Sequence, residues 1–219
     1  MDYSDLIQKL LDGNARAVAR LITLVENDIE AAENIINEIY SHTGNAYILG
    51  ITGAPGSGKS TFISNLTKFF VKQGKKIGII CVDPSSPLTG GALLGDRIRM
   101  KENFSLDNVF IRSMANRGQL GGLARATEDS IKILDAYGCD VVIVETVGVG
   151  QSEVDIFKSA HIVLVLLVPG LGDDIQAIKA GIMEITDVFI VNKMDLSGAG
   201  KKVAEITQML ELNVNYKYQ

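Results

Sequence analysis

The segment from Gly53 to Ser60 constrains the fold more than any other part of this sequence. It reads Gly-Ala-Pro-Gly-Ser-Gly-Lys-Ser, which is the spacing of a phosphate-binding loop. An apolar run leads into the loop and a helical pattern leads out of it, so we expect strand, loop and helix in that order. Backbone N–H groups turned inward by the glycines, together with the positive end of the helix dipole, would surround phosphate groups. The predicted nucleotide-contacting residues of the loop are Gly53, Ala54, Pro55, Gly56, Ser57, Gly58, Lys59, Ser60 and Thr61.

Two side chains of this loop have predicted chemical roles. Lys59 would reach the terminal phosphates and act in catalysis, and the Ser60 hydroxyl would bind Mg²⁺. The alternative is a glycine-rich turn without a ligand, which the strand and helix patterns on either side argue against.

From residue 46 onward, short apolar runs alternate with helical patterns. The runs are rich in Val and Ile and apolar on both faces, which is typical of parallel strands covered by helices on both sides. Strands are predicted over Tyr47–Thr52, Lys76–Val82, Val109–Arg112, Val141–Glu145, Ile162–Val168 and Val188–Val191. Helices are predicted over Lys59–Lys72, Leu123–Ala136, Asp174–Glu184 and Lys201–Leu212. The pattern predicts an α/β fold of the P-loop NTPase class, with a mostly parallel central sheet flanked by helices.

Residues 1–44 show a different pattern. Apolar side chains recur there at helical spacing, and polar pairs at Gly13-Asn14 and Asn27-Asp28 interrupt them. We therefore expect two or three short amphipathic helices ending at Gly44. They would form an N-terminal helical arm (1–44) packed on a P-loop domain (45–219), and a docking role for a partner is the alternative.

Composition excludes several classes of protein. The 219 residues are 47% hydrophobic and carry a net charge of −5, which argues against a nucleic-acid binder that relies on a basic face. The N-terminus lacks the basic and apolar regions of a signal peptide, and the run Ile162–Val168 is too short to span a bilayer. Cys81 and Cys139 lie in or beside apolar runs and are expected to be buried thiols. We expect a cytoplasmic protein.

The tetrapeptide Asn192-Lys193-Met194-Asp195 follows the apolar run Val188–Val191. This N-K-x-D pattern is the guanine-specificity signature of GTP-binding proteins. The Asp195 carboxylate can accept the ring N1–H and the exocyclic amino group of guanine, whereas adenine has no donor at either position. Asn192 can bond the base and fix the loop, and the Lys193 stem can pack over the ring. The sequence therefore predicts GTP and GDP as ligands.

Carboxylates that follow apolar runs, and one that follows a glycine-rich stretch (Asp96), are candidate metal ligands beside Ser60. Glu145 ends the run from Val141 and would orient Mg²⁺ or its water, while the nearby Gly148 would donate its N–H to the terminal phosphate. Asp83 and Asp96 could also reach the metal, although Asp96 could instead cap a helix. The predicted metal ligands are Ser60, Asp83, Asp96 and Glu145, and the predicted catalytic residues are Lys59 and Glu145.

The sequence resembles the MeaB/ArgK-type GTPases, which are chaperones of adenosylcobalamin-dependent acyl-CoA mutases such as methylmalonyl-CoA mutase. The resemblance covers roughly residues 1–210. The matching stretches are Gly53–Thr61, Val82–Gly91, Leu94–Met100, Arg112–Gly118, Leu120–Ala124, Glu145–Glu153 and Lys179–Ile185, followed by Asn192–Asp195.

The resemblance implies a homodimeric GTPase that uses GTP to gate loading or off-loading of the B12 cofactor. It also implies that Gly170–Lys179 is a mobile loop linking nucleotide state to the partner. Slow intrinsic hydrolysis is expected, since Gln151 and Arg97 are only candidates for orienting water and neutralising charge. Family members usually add a further strand and a helical dimerisation arm, so this sequence, ending at Gln219, is expected to be truncated or a naturally short member.

Three other functions stay open at this point. A tight nucleotide-binding switch with no useful turnover is compatible with the same motifs. A nickel metallochaperone GTPase would need a cluster of His or Cys ligands, yet His42 and His161 are isolated in the sequence. A P-loop kinase would need a catalytic base for a hydroxyl substrate, and no such motif stands out.

Overall fold

The computed structural model describes residues 2–83, 106, 108–115, 122–146, 151–170 and 185–217, with only the backbone described at 83, 115, 151–153 and 212–217. The helices are α1 (Ser4–Leu11), α2 (Ala15–Asn27), α3 (Ile29–Ile39), α4 (Lys59–Lys72), α5 (Gly122–Ala136), α6 (Gln151–Ile156) and α7 (Ala199–Lys217). The strands are β1 (Tyr47–Gly53), β2 (Ile77–Asp83), β3 (Val109–Ala115), β4 (Val141–Thr146), β5 (Ile162–Leu167) and β6 (Val188–Val191). Short 3₁₀ turns occupy Tyr40–His42 and Phe157–Ser159.

The strands of the described residues form one sheet in the order β3-β2-β4-β1-β5-β6. Every neighbouring pair in it is parallel. The order reverses beside β1, and in open α/β sheets ligands bind at such a reversal, outside the carboxyl ends of the strands. The loop that follows β1 lies at that place, and the predicted P-loop fold class is confirmed.

Apolar side chains fill the space on both faces of the sheet. Helix α4 covers one face, where Ile51, Ile63, Ile79 and Ile143 are completely buried. Helix α5 covers the other face, with Val142 and Leu134 in its core. Because both faces are covered, the strands are near-continuous apolar runs, as the sequence pattern predicted.

The N-terminal helices form a further layer against α5. Side-chain caps begin two of them: Asn14 accepts from the backbone N–H groups of Arg16 and Ala17 at 2.9 and 3.2 Å, and Asp28 accepts from Ala31 at 3.0 Å. The polar pairs that interrupt the apolar pattern are therefore helix boundaries. The helices share one hydrophobic core with α5, and the division of the chain at residue 44 stays a prediction.

Polar contacts tie these helices to the α/β layers. The Arg112 guanidinium on β3 pairs with Glu26 of α2 and donates to Thr23 Oγ1 at 3.1 Å. Arg125 on α5 donates to the carbonyl of Val25 at 3.0 Å. Apolar packing thus attaches the N-terminal helices, and two arginines add contacts to side chains and to one backbone carbonyl of α2.

Several predicted boundaries differ from the observed ones. Strand β3 runs three residues further than predicted, to Ala115, because its in-register pairing with β2 continues to Asp83. Helix α7 starts at Ala199 rather than Lys201 and continues to Lys217, and the short helix α6 was not predicted. The predicted helix Asp174–Glu184 lies outside the described residues. Among the helices that are described, none has the length and apolar character required to cross a bilayer.

Candidate nucleotide site

The loop after β1 has the geometry that the glycine pattern predicts. Gly53, Gly56 and Gly58 all have positive φ, at 146°, 81° and 91°. At Gly53 a Cβ atom would lie 2.3 Å from the carbonyl oxygen of Leu166, so the loop passes too close to β5 for any side chain there. These constraints hold the loop as a tight turn at the carboxyl end of the sheet.

Lys59 lies at the start of α4 with only 6% of its surface exposed. Its ammonium donates to the carbonyl oxygens of Gly53 and Ala54 at 2.7 and 3.1 Å. The Lys59 side chain therefore folds back over its own loop, and a positive charge is held where phosphates are predicted to bind. Ser57 is fully buried in the same loop, and its hydroxyl has no hydrogen-bond partner among the described residues.

Asn192 joins the predicted base-reading loop to the phosphate loop. Its backbone N–H donates to Leu167 on β5 at 2.8 Å, and its side-chain amide donates to the carbonyl of Ser57, also at 2.8 Å. A Cβ atom on Gly58 would lie 2.5 Å from the Asn192 amide nitrogen, so the glycine leaves room for this contact. Two motifs far apart in the sequence thus form one structural unit.

The rest of the base-reading loop is exposed. Lys193 adopts φ of 54°, in the left-handed region that non-glycine residues rarely occupy, and its carbonyl accepts from Leu196 at 3.0 Å. Met194 and Asp195 are exposed on the resulting turn. Strain of this kind is often found at ligand sites, where the surrounding structure maintains it.

Glu145 lies near the end of β4 and is 3% exposed. Ser60 Oγ lies 3.4 Å from one of its carboxylate oxygens, and the Cys81 thiol lies 3.8 Å from the other. The structure thus brings together two of the four predicted metal ligands. Cys81 was not predicted as a site residue, because its contact depends on the register between β2 and β4.

A buried hydroxyl pair lies at the end of the same strands. Thr146 Oγ1 donates to Thr52 Oγ1 at 3.0 Å, and both side chains are fully buried. The contact links β4 to β1 next to the phosphate loop. This contact was not predicted from the sequence, because it depends on the pairing of β1 with β4.

The remaining predicted residues lie outside the described residues or have only their backbone described. The described residues do not include Gly148, Asp96 or Arg97. Of the loop Gly170–Lys179 they include only Gly170. Asp83 ends β2 beside β4, and Gln151 begins α6, with only their backbones described. The roles predicted for these residues stay predictions.

His161 and Cys139 have structural contacts within the fold. His161 accepts the backbone N–H of Ile48 at 2.9 Å and stacks on Tyr47. Cys139 is 2% exposed, and burial raises the pKa of its thiol to about 12. Among the described residues, no three His, Cys, Asp or Glu side chains converge on one point, so nothing there favours a nickel site.

Known proteins match this chain over most of its length. It is 61% identical over 208 residues to a protein of Pyrococcus abyssi, and the match covers 95% of this chain and 64% of that protein. It is 39% identical over 196 residues to the GTPase ArgK of Escherichia coli, and the match covers 88% of this chain and 59% of ArgK. The crystal structure of a LAO/AO transport system kinase superposes on this chain with a TM-score of 0.71 at 31% sequence identity. The superposition covers 97% of this chain and 63% of the kinase chain. The chain spans less than two thirds of each of these relatives.

Most of this chain also matches the model of one protein family. The model describes the methylmalonyl-CoA mutase-associated GTPase MeaB and matches residues 18–219, which include the phosphate loop, Glu145 and the base-reading loop. With this match, the chain belongs to the MeaB GTPase family.

Proposed function

We propose that this chain binds GTP with Mg²⁺ and hydrolyses it slowly to GDP and phosphate. The observation that carries the proposal is the 2.8 Å hydrogen bond from the Asn192 amide to the Ser57 carbonyl. It holds the guanine-reading loop against the phosphate loop, so that one nucleotide can occupy both. Membership of a GTPase family supports the same reaction.

The phosphate loop supplies charge and hydrogen-bond donors to the nucleotide. The Lys59 ammonium, now on the carbonyls of Gly53 and Ala54, has the reach to transfer its hydrogen bonds to phosphate oxygens at the same loop. Within the part of the chain that the structure describes, the buried Ser57 hydroxyl lacks a hydrogen-bond partner, which is costly unless a ligand provides one. Preorganised donors of this kind favour the charge that develops during phosphoryl transfer.

The donor set at the start of α4 suits Mg²⁺. Ser60 and Glu145 offer a hydroxyl and a carboxylate 3.4 Å apart, and oxygen ligands are those that Mg²⁺ prefers. Mg²⁺, when bound, neutralises charge on the phosphate oxygens. Glu145 would hold that ion or one of its waters, and Ser60 would turn its hydroxyl from Glu145 toward the ion.

Guanine specificity is assigned to Asp195. The carboxylate is exposed on the turn after β6, where it can accept two N–H groups of a guanine ring. Adenine would place no donor against it, and a carboxylate covered by a base without donors is expensive. Lys193, Gln151 and Arg97 keep the roles that the sequence predicts for them.

The family description also supports a partner. We infer that the protein serves as a chaperone for an adenosylcobalamin-dependent acyl-CoA mutase and gates its cofactor loading, with homodimer formation as part of the same proposal. This inference rests on the family alone, since the residues described here carry no feature that identifies the mutase.

The reaction can be tested by phosphate release. Wild type, Lys59→Ala and Asp195→Asn are compared with GTP and with ATP in the presence of Mg²⁺. We expect slow GTP turnover that Lys59→Ala abolishes and Asp195→Asn reduces for GTP only. Equal turnover of ATP and GTP by the wild type would contradict the guanine assignment, and turnover by Lys59→Ala would contradict the catalytic one.

The partner requires a separate experiment. Purified methylmalonyl-CoA mutase is mixed with the wild type or with Lys59→Ala, and transfer of adenosylcobalamin to the mutase is followed by absorbance with GTP, GDP or no nucleotide. A nucleotide-dependent change seen only with the wild type supports the chaperone. Identical adenosylcobalamin transfer in all mixtures refutes the chaperone proposal. The GTPase proposal is tested separately, by phosphate release.

A further inference from the structure

Cys81 lies directly beside Glu145 in the sheet. The parallel register of β2 and β4 pairs Cys81 with Glu145, so both side chains project from the same face, the one covered by α4. The thiol sulfur is 3.8 Å from Glu145 Oε2, within hydrogen-bond range for sulfur, and both residues are more than 90% buried. Cys81 and Glu145 therefore form a polar pair at the carboxyl end of a sheet face that is otherwise apolar.

A buried carboxylate needs donors to remain in one orientation. Ser60 supplies one to Oε1, but at 3.4 Å the contact is long, and the same hydroxyl is proposed to turn toward Mg²⁺. Cys81 contacts the other oxygen from a central strand, whose position does not depend on the loop. The thiol is thus a donor that can stay on Glu145 when the Ser60 hydroxyl turns away.

We propose that Cys81 is a positioning residue, whose S–H fixes the Glu145 carboxylate in the orientation required for Mg²⁺. This inference rests on the proposed GTPase function. In this role Cys81 contacts Glu145 and not the nucleotide or the metal. Its removal should therefore weaken Mg²⁺ binding in the nucleotide complex and leave Mg²⁺-free GDP binding unchanged.

The test uses three substitutions. Cys81→Ala removes the donor with little loss of volume, Cys81→Ser restores a hydroxyl donor at the same Cβ, and Cys139→Ala removes the other buried thiol on the opposite face of the sheet. Affinity for a fluorescent GDP is measured without Mg²⁺, and Mg²⁺ is then titrated into the complex. Thermal unfolding of each variant measures the cost of the lost core atoms.

For Cys81→Ala we expect about threefold to tenfold weaker Mg²⁺ binding, since an S–H donor is weak but its acceptor is charged. Cys81→Ser should recover part of the loss, and Cys139→Ala should match the wild type. If Cys81→Ala binds Mg²⁺ like Cys139→Ala, the positioning role is refuted. A wild type that fails to bind GDP at all would instead refute the proposed function.

Discussion

Removing the amide of Asn192 should disconnect the two halves of the nucleotide site. Asn192→Ala eliminates the 2.8 Å hydrogen bond to the Ser57 carbonyl, a partly buried contact that links positions 135 residues apart. Losing one partner of such a bond costs about 1–3 kcal/mol, with the lower half of that range expected because the contact is only partly buried. At 1.4 kcal/mol for each factor of ten, GDP affinity should fall about tenfold.

The assay is calorimetric titration of GDP and of inorganic pyrophosphate, with Mg²⁺, against wild type, Asn192→Ala and Asp195→Ala. If Asn192 acts by holding the phosphate loop, its loss weakens both ligands. Asp195→Ala, which affects only base recognition, should weaken GDP alone. The reasoning is refuted if Asn192→Ala leaves pyrophosphate binding unchanged, because Asn192 would then act on the base and not on the loop.

Three further predictions concern stability and reactivity. Gly53→Ala should lower the free energy of unfolding, measured in urea, by about 1–3 kcal/mol, because its Cβ would clash with Leu166 and its φ is positive. Gly56→Ala should lower it by less, because Gly56 also has a positive φ but has open space around it. Arg112→Met should cost about 2–4 kcal/mol because it leaves the mostly buried Glu26 carboxylate without this ion pair, and adding Glu26→Gln should recover part of that loss. The pKa of Cys139 is raised to about 12, so its thiol stays protonated at pH 8 and should resist iodoacetamide until the protein is unfolded.

The fold was predictable because its signals are local. Helix α4 has the predicted bounds, Lys59–Lys72, since a glycine in the left-handed conformation precedes it and the amphipathic pattern runs to its end. The strands were found because burial on both faces makes them apolar runs of Val and Ile. Helix α6 was missed because six residues are too few to establish a helical period.

The site was predictable only where one short motif carries the chemistry. The phosphate loop and Asn192 were both identified, but their mutual hydrogen bond depends on β5 and β6 placing one loop beside the other. The contact of Cys81 with Glu145 likewise depends on register, and a slip of one residue would have turned the thiol to the opposite face. Contacts between distant segments need the tertiary structure.

Selectivity between GDP and ADP decides whether this site reads guanine. GDP and ADP are titrated in a calorimeter, with Mg²⁺, against the wild type and Asp195→Ala. A chain that uses its phosphate loop and Asp195 together should bind GDP, reject ADP, and lose that preference with the substitution. ADP binding by the wild type with the same affinity as GDP would contradict the claim that this site reads guanine.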